Sequence, residues 1–226
     1  MKKTEERWRV EPGNAVGLAI RVPIEHIEPV LALFNPVITR SSIVPPGNYP
    51  TLYVTTGHGT LNNRPVPHRM VNVICEPPPW VAVTPPAIGC LAWVGAPSNP
   101  VNQLFWRFGF GRIEGRLSLK IDQHHLNARA SIATNGGVLQ VIATIAKEGE
   151  PWNALPQQFI GMNPAIPAFC RGDEWGVRYD GSGTVSFLSS AGAVEKFVTY
   201  VGLDLELGWD YILIPGDTQA RNIRLQ

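Results

Sequence analysis

The sequence predicts an α+β protein that is mainly antiparallel β, built on a bent sheet or barrel with a few short helices. Glycine (22 residues) and proline (21 residues) exceed their average usage and interrupt the chain at short intervals. Several segments alternate apolar and polar residues, which is the pattern of a half-buried strand. The tripeptide Asn135-Gly136-Gly137 separates two such segments, and Asn and Gly tolerate the positive φ angles of tight hairpin turns. We therefore expect many short strands joined by turns.

The first third of the chain predicts a strand, a short helix and three further strands. Apolar residues at every second position of residues 15–22 indicate the first strand. After Pro23, apolar residues recur at three-to-four spacing over residues 24–34, which predicts a short amphipathic helix. Residues 51–60, 70–75 and 88–94 are rich in residues that favour strands and are separated by prolines.

The remainder predicts one helix, five strands and a weaker helix. Residues 101–108 fit a short helix, and residues 115–121 alternate with Leu117, Leu119 and Ile121 on one face. The strongest local prediction is the hairpin of residues 126–132 and 138–146. Residues 147–172 look irregular, residues 180–188 and 209–214 predict strands, and residues 193–201 carry a weak helical pattern. With no repeat or linker, residues 1–226 predict a single domain.

Composition excludes several classes of function. The 19 Lys and Arg residues against 18 Asp and Glu give a formal net charge of +1, so we expect neither nucleic acid nor an anionic membrane as a partner. Three cysteines without close spacing predict no disulfide framework. No apolar run approaches the roughly 18 residues of a membrane span, and no apolar run follows the basic start. We expect a cytoplasmic protein.

The histidines indicate no metal site and one candidate for proton transfer. No HExxH or HxH pattern occurs, and the adjacent pair His124-His125 would face opposite ways on a strand. His58 lies between two glycines at a predicted strand end, where a ligand can approach closely. The alternative for His58 is a partly exposed histidine with no catalytic role.

Aromatic and arginine residues cluster between residues 93 and 112. Their aromatic rings could line an apolar pocket, although packing in the core is the more frequent role of such residues. Arg107 and Arg112 lie among them, and an arginine beside apolar surface needs an anionic partner such as an enolic oxygen or a carboxylate. The alternative is an ordinary surface salt bridge. The glycines around Phe110 resemble a dinucleotide fingerprint only superficially, so we expect no cofactor. The candidate substrate-binding residues are Arg107, Trp93, Trp106, Phe108 and Phe110.

The order of elements resembles the acetoacetate decarboxylase-like superfamily. The features that carry it are a strand ending in Arg21, a short helix, two strands, and Gly95-Ala96-Pro97 leading through Phe105-Trp106 to Phe108-Gly109-Phe110-Gly111-Arg112 and a hairpin. The resemblance implies a cone-like antiparallel barrel around an apolar cavity, small carbonyl or carboxylate substrates and assembly into a homo-oligomer.

The chain departs from that family at its reactive positions. The family uses a lysine pair, one of which forms a Schiff base, but the matching stretch here holds Arg112 and no lysine. The family's glutamate would fall near Thr55 or Thr56, which cannot act as a carboxylate. An arginine stays protonated and is a poor imine-forming nucleophile. We therefore expect chemistry without an imine.

These observations predict an enzyme that acts on a small carbonyl compound by cyclisation, dehydration or another lyase-type step. Arg112 or Arg107 would stabilise an oxyanion, and His58 or Glu114 would transfer the proton. One alternative is a non-catalytic protein that carries a small ligand in the same barrel. Another is a structural subunit of the jelly-roll or capsid type, which many short strands also permit.

Overall fold

Most of the chain folds into one twisted sheet. The computed structural model describes residues 6–10, 14–34, 51–75, 88–107, 110–122, 124–146, 148–153, 157–161 and 168–215. Within these residues it has twelve strands, all in a single sheet. The strands are β1 (Glu6–Val10), β2 (Ala15–Ile20), β3 (Leu52–Leu61), β4 (Arg64–Cys75), β5 (Ile88–Gly95), β6 (Arg112–Asp122), β7 (Asn127–Thr134), β8 (Gly137–Ile145), β9 (Glu150–Asn153), β10 (Gln157–Gly161), β11 (Ala168–Ser189) and β12 (Val194–Pro215).

Two short helices accompany the sheet in this part of the chain. Helix α1 (Ile27–Leu31) is flanked by the 3-10 turns Ile24–His26 and Ala32–Phe34, and helix α2 spans Pro100–Arg107. Both lie where the sequence predicts helices. Among the described residues, no helix has the length and apolar character needed to cross a membrane.

The pairings of the described strands form a closed ring. Its order is β2-β3-β4-β5-β6-β7-β8-β11-β12, and β12 pairs with β2 again. Neighbours in the ring are antiparallel except β5 and β6, which run parallel. The structure therefore confirms a mainly antiparallel α+β protein.

One hydrophobic cluster, the inner core, receives buried side chains from every strand of the ring. It includes Leu18 of β2, Val54 of β3, Ile132 of β7 and Leu203 of β12. Five apolar side chains of the helical segment 24–34 belong to the same cluster: Ile27, Val30, Leu31, Leu33 and Phe34. Side chains alternate between the two faces of a strand, so every second residue of each strand faces this cluster and the others face outward.

A second cluster, the outer cluster, covers the opposite face of β1–β5. Helix α2 lies over these strands and contributes Val101, Leu104 and Phe105. The ring of Phe105 stacks on Trp93 with centroids 3.6 Å apart. This second buried face explains why α2 is amphipathic and why β2 and β3 are apolar on both sides.

The hairpin prediction is confirmed, whereas two others are wrong. Strands β7 and β8 pair in register through the turn Asn135–Gly136, so that Thr134 faces Gly137. The helix predicted over residues 193–201 is part of β12, because Phe197 and Val201 face the inner core while Val194 and Val198 are exposed on the other face. The predicted irregular stretch contains β9, β10 and the start of β11.

Candidate functional site

A cleft of about 840 Å³ opens at one end of the ring of strands. Three parts of the chain meet there: the start of β6, the β7–β8 turn and the β11–β12 turn. The 3-10 turn after α1 closes one side. The lining residues are Ala32, Leu33, Arg112, Ile113, Glu114, Thr134, Asn135, Gly136, Ser189, Ser190 and Ala191.

Arg112 and Glu114 form an ion pair on this cleft. They are two residues apart on β6, so period two places both side chains on the outer face of the strand. Arg112 Nη2 donates a hydrogen bond to Glu114 Oε1. Both side chains are about half exposed, at 59% and 52%. The pair therefore stays solvated and available to a small molecule.

An aromatic ring holds the arginine from the other side. The guanidinium of Arg112 lies 4.9 Å from the ring centroid of Trp106, which is within the range of a cation–π interaction. Trp106 is itself fixed, because its Nε1 donates a 2.6 Å hydrogen bond to the backbone oxygen of Trp93. The guanidinium of Arg112 therefore contacts the ring of Trp106 and, through Nη2, the carboxylate of Glu114.

Hydrogen bonds tie the rim of the cleft together. Thr134 Oγ1 donates to the Leu33 oxygen at 2.6 Å and accepts from the Gly136 nitrogen at 3.1 Å. The Ser190 nitrogen donates to the Gly136 oxygen at 3.0 Å. A Cβ at Gly136 would collide with the backbone of Ala32 and Leu33, so only glycine permits this close approach. Two turns and one helical segment are therefore held against one another.

The arrangement offers an oxyanion-binding group beside a carboxylate base. A guanidinium donates to a carboxylate or enolate oxygen in a fixed fork geometry. A neighbouring carboxylate accepts a proton if it lies within hydrogen-bond reach of it. The lining also supplies the hydroxyls of Ser189 and Ser190 and the amide of Asn135.

The structure brings together some of the predicted site residues and leaves others apart. His58 is exposed on β3 and does not line the cleft. Trp93 and Phe110 are packed within the outer cluster, and Arg107 is exposed at the last residue of α2. Phe108 lies outside the described residues. Of the predicted proton-transfer residues, Glu114 lines the cleft with Arg112.

Sequence reasoning missed the parts of the cleft that come from the two turns. The β7–β8 turn was predictable from Asn135 and Gly136, but its position beside Arg112 depends on the closed ring. The β11–β12 turn, with Ser189 and Ser190, falls between a predicted strand and a wrongly predicted helix. The sequence between Ser189 and Gly192 (Ser-Ser-Ala-Gly) was the available turn signal.

A buried polar network, also missed, lies far from the cleft. Asp204 is fully buried and accepts hydrogen bonds from Tyr53 Oη at 2.8 Å and from Arg178. Arg178 and the cleft residue Ser189 are eleven positions apart on β11, roughly 35 Å along an extended strand. Burial alone would lower the pKa of Arg178, but the hydrogen bond and charge of Asp204 outweigh it and raise that pKa.

Comparison with known proteins leaves the family open. No family model and no curated protein matches the chain. The resemblance to the acetoacetate decarboxylase-like superfamily therefore stays a prediction.

Proposed function

We propose that this protein is an enzyme of acetoacetate decarboxylase-like, cone-like barrel fold that acts on a small carbonyl compound without a Schiff base. The observation that carries the proposal is that Arg112 and Glu114 lie side by side on one cleft. The closed ring of mainly antiparallel strands supports the fold part of the proposal. The reaction would be of the lyase or cyclase type.

The first chemical step would be removal of a proton from the carbon next to the carbonyl group. Glu114 takes the proton, and the electron pair of the C–H bond moves onto the carbonyl oxygen to give an enolate. Arg112 donates hydrogen bonds to that oxygen and stabilises its charge. The enolate then expels a β-hydroxyl group, which leaves as water with the proton that Glu114 had taken, or its carbon attacks a second carbonyl carbon to close a ring, and the new alkoxide oxygen takes that proton.

The placement of the lysines supports a mechanism without an imine. Imine-forming lysines lie in sites that favour the neutral amine, such as a hydrophobic pocket. Lys120 and Lys196 are exposed on the outer face of β6 and β12, and neither lines the cleft. Within the described part of the cleft, the cation is an arginine.

Exchange of substrate protons for deuterium tests the first step directly. The protein is incubated in D₂O with a panel of β-keto acids, β-diketones and 2-oxo acids, and exchange at the carbon next to the carbonyl is followed by proton NMR. We expect catalysed exchange for at least one compound. The Arg112→Ala variant should lose about 10²-fold to 10³-fold of this rate, as when an oxyanion donor is removed.

Two further variants separate the roles of the residues. Glu114→Gln should abolish exchange but keep ligand binding, which is measured by calorimetry. Arg116→Ala removes an exposed arginine from the same face of β6 that does not line the cleft, and it should keep the wild-type rate. Borohydride treatment with the active compound should leave the protein mass unchanged. A mass increase on a lysine, or equal exchange by wild type and Arg112→Ala, would reject the proposal.

A ligand carrier is the second candidate, and the exposure of the ion pair favours it. Catalytic groups usually lie in sites from which water is excluded, whereas Arg112 and Glu114 are both about half exposed. A carrier needs only an anchoring cation and a cleft of this size. Binding that depends on Arg112, without exchange or turnover for any compound of the panel, would identify a carrier.

A further inference from the structure

The cleft carries uncharged polar side chains besides the ion pair. They belong to the β7–β8 and β11–β12 turns and the residues beside them: Thr134, Asn135, Ser189 and Ser190. Proton removal and oxyanion stabilisation, as proposed for the ion pair, use none of these four groups. Their hydrogen bonds within the protein show which of them are available to a ligand.

Two of the four side chains hold the turns in place. Thr134 Oγ1 donates to the Leu33 oxygen and accepts from the Gly136 nitrogen. Ser189 Oγ accepts a hydrogen bond from the Ala193 nitrogen at 3.1 Å, and the Ser189 nitrogen donates to the Ala193 oxygen at 2.9 Å. The hydroxyls of Thr134 and Ser189 therefore have structural roles.

The other two side chains are available. In the part of the chain that the structure describes, the amide of Asn135 and the hydroxyl of Ser190 have no hydrogen-bond partner, and both residues are exposed. The Ser190 nitrogen donates to the Gly136 oxygen at 3.0 Å, so the two turns are fixed against each other through their backbones. Both side chains thus line the cleft from a rigid base.

Backbone conformation does not explain why position 135 holds an asparagine. Asn62 and Asn63, in the β3–β4 turn, have positive φ angles of 49° and 65°, which asparagine tolerates better than most residues. Asn135 has no positive φ, and in the β11–β12 turn the positive φ belongs to Gly192, at 85°. The turns therefore require neither the amide of Asn135 nor the hydroxyl of Ser190.

Strand register places Asn135 beside the ion pair. Thr134 of β7 faces Gly115 of β6, so Asn135 and Glu114 are the next residues along the two chains. Neighbouring strands are about 5 Å apart, which is within reach of one small molecule.

Ser190 lies further along the same end of the sheet. Ser189 of β11 faces Gly137 of β8, and Ser190 then contacts Gly136 through its backbone nitrogen. The order from β6 to β11 is therefore ion pair, amide, hydroxyl.

The cleft has room for more than a simple ketone. Its volume of about 840 Å³ is within the range of pockets that hold drug-sized ligands. The rest of the lining includes apolar side chains, those of Ala32, Leu33, Ile113 and Ala191. A carbon chain that bears hydroxyl groups offers C–H surface to these side chains and hydrogen bonds to the polar ones.

We infer that Asn135 and Ser190 bind hydroxyl groups of the substrate, and that the substrate is a polyhydroxylated carbonyl compound of the sugar type. A carboxamide and a serine hydroxyl each donate and accept, so either group matches a substrate hydroxyl in both directions. The inference rests on the proposed function for the carbonyl end, which lies at Arg112, and adds the class of compound. Such a compound also carries the β-hydroxyl group that a dehydration expels.

A matched pair of compounds tests the inference. One is 4,5,6-trihydroxy-2-oxohexanoate, and the other is 2-oxohexanoate, which has the same carbon chain without the hydroxyls. Dissociation constants are measured by calorimetry in the Glu114→Gln protein, in which turnover should be absent. A hydrogen bond contributes a factor of about two to ten, so two of them should make the trihydroxy compound bind about four- to a hundredfold more tightly.

Single variants assign this preference to the two side chains. Asn135→Ala and Ser190→Ala, each combined with Glu114→Gln, should reduce the ratio of the two dissociation constants about two- to tenfold. Ser190→Thr keeps the hydroxyl and should keep the ratio. Asn127→Ala and Ser118→Ala are the matched controls, since both residues are exposed on the sheet outside the cleft, and they should leave the ratio unchanged. Circular dichroism confirms that each variant is folded.

The outcomes separate this inference from the proposed function. Equal binding of the two compounds, binding of neither, or a ratio that both alanine variants leave unchanged would overturn the inference. Proton exchange by the wild type with the same kcat/KM for both compounds would also overturn it while the enzyme proposal stands. Preferential binding that depends on Asn135 and Ser190, without exchange of either compound, would support hydroxyl recognition and reject the enzyme.

Discussion

Arg178 donates two hydrogen bonds to the buried carboxylate of Asp204, from Nε at 2.7 Å and from Nη2 at 2.8 Å. This bidentate pair joins β11 to β12, where the two residues face each other in register. Tyr53 of β3 donates a third hydrogen bond to the same carboxylate. A fully buried charge is tolerated when it is paired and its oxygens are hydrogen-bonded, and Asp204 meets both conditions.

Removing this carboxylate should strongly destabilise the protein. Asp204→Ala removes the carboxylate to which the partly buried Arg178 and the Tyr53 hydroxyl donate, so we expect a loss of about 3–5 kcal/mol in the free energy of unfolding. Asp122→Asn is the matched control, since Asp122 pairs with His125 on the surface and its loss should change the free energy of unfolding far less. Urea unfolding measures both. Equal losses of unfolding free energy in the two variants would contradict the inference that the buried carboxylate of Asp204 contributes more than the exposed one of Asp122.

Gly17 should be intolerant of alanine because of the same network. It faces Asp204 on one side and Thr55 on the other, and a Cβ there would lie 2.7 Å from Tyr53 Cζ and still closer to its hydroxyl. Gly17→Ala should therefore displace Tyr53 and destabilise the fold by about 1–3 kcal/mol. Combining it with Tyr53→Phe should give less than the sum of the two losses. Strict additivity in urea unfolding would show that the two positions do not interact.

Asn102 should be required for the packing of α2 on the sheet. It is fully buried, its Oδ1 accepts from Trp93 Nε1 at 3.1 Å, and its Nδ2 donates to the Ala96 oxygen at 3.1 Å. Asn102→Ala leaves both groups without this partner and should lower the free energy of unfolding by about 2–4 kcal/mol. Gln103→Ala, at the next and exposed position, should change it by less than about 1 kcal/mol. A similar effect of both changes on urea unfolding would refute this account.

Local signals in the sequence account for the elements that could be predicted. The turn at Asn135–Gly136 and the alternation of β6 need only neighbouring residues, and both are confirmed. The β12 error has a specific cause. Val194 and Val198 are apolar but exposed, and together with Phe197 they mimic helical spacing. Periodicity assumes that apolar residues are buried, so an apolar outer face misleads it.

Only the β6 part of the candidate site could be predicted, because local patterns do not show which distant segments meet. Arg112 and Glu114 are two residues apart, so the sequence alone places them on one face of a strand. The rest of the cleft comes from turns more than twenty residues away, and only the closed ring brings them together. The Arg178–Asp204 pair is hidden in the same way, because two strands of 22 residues must pair in one particular register.

The alkaline stability of the protein should depend on Tyr200. Partial burial, together with a hydrogen bond from its hydroxyl to Asp180, raises the pKa of Tyr200 to about 12, above the ordinary value of 10.0. Between pH 10 and pH 12 the unfolded chain therefore loses this proton while the folded protein keeps it. Only the unfolded state is stabilised by deprotonation in this range. The contribution of Tyr200 to the free energy of unfolding is therefore fully present below pH 10 and is lost as the pH rises to 12.

Tyr200→Phe removes this contribution, so its free energy of unfolding should fall less steeply than that of the wild type across the same range. After allowance for the partial exposure of Tyr200, we expect a difference of about 1 kcal/mol between pH 10 and pH 12. Asp180→Asn keeps a hydrogen-bond acceptor but removes the charge, and its curve should lie between the other two. Urea unfolding at intervals of half a pH unit provides the curves. Parallel curves for wild type and Tyr200→Phe would mean that burial and Asp180 do not hold the proton on Tyr200.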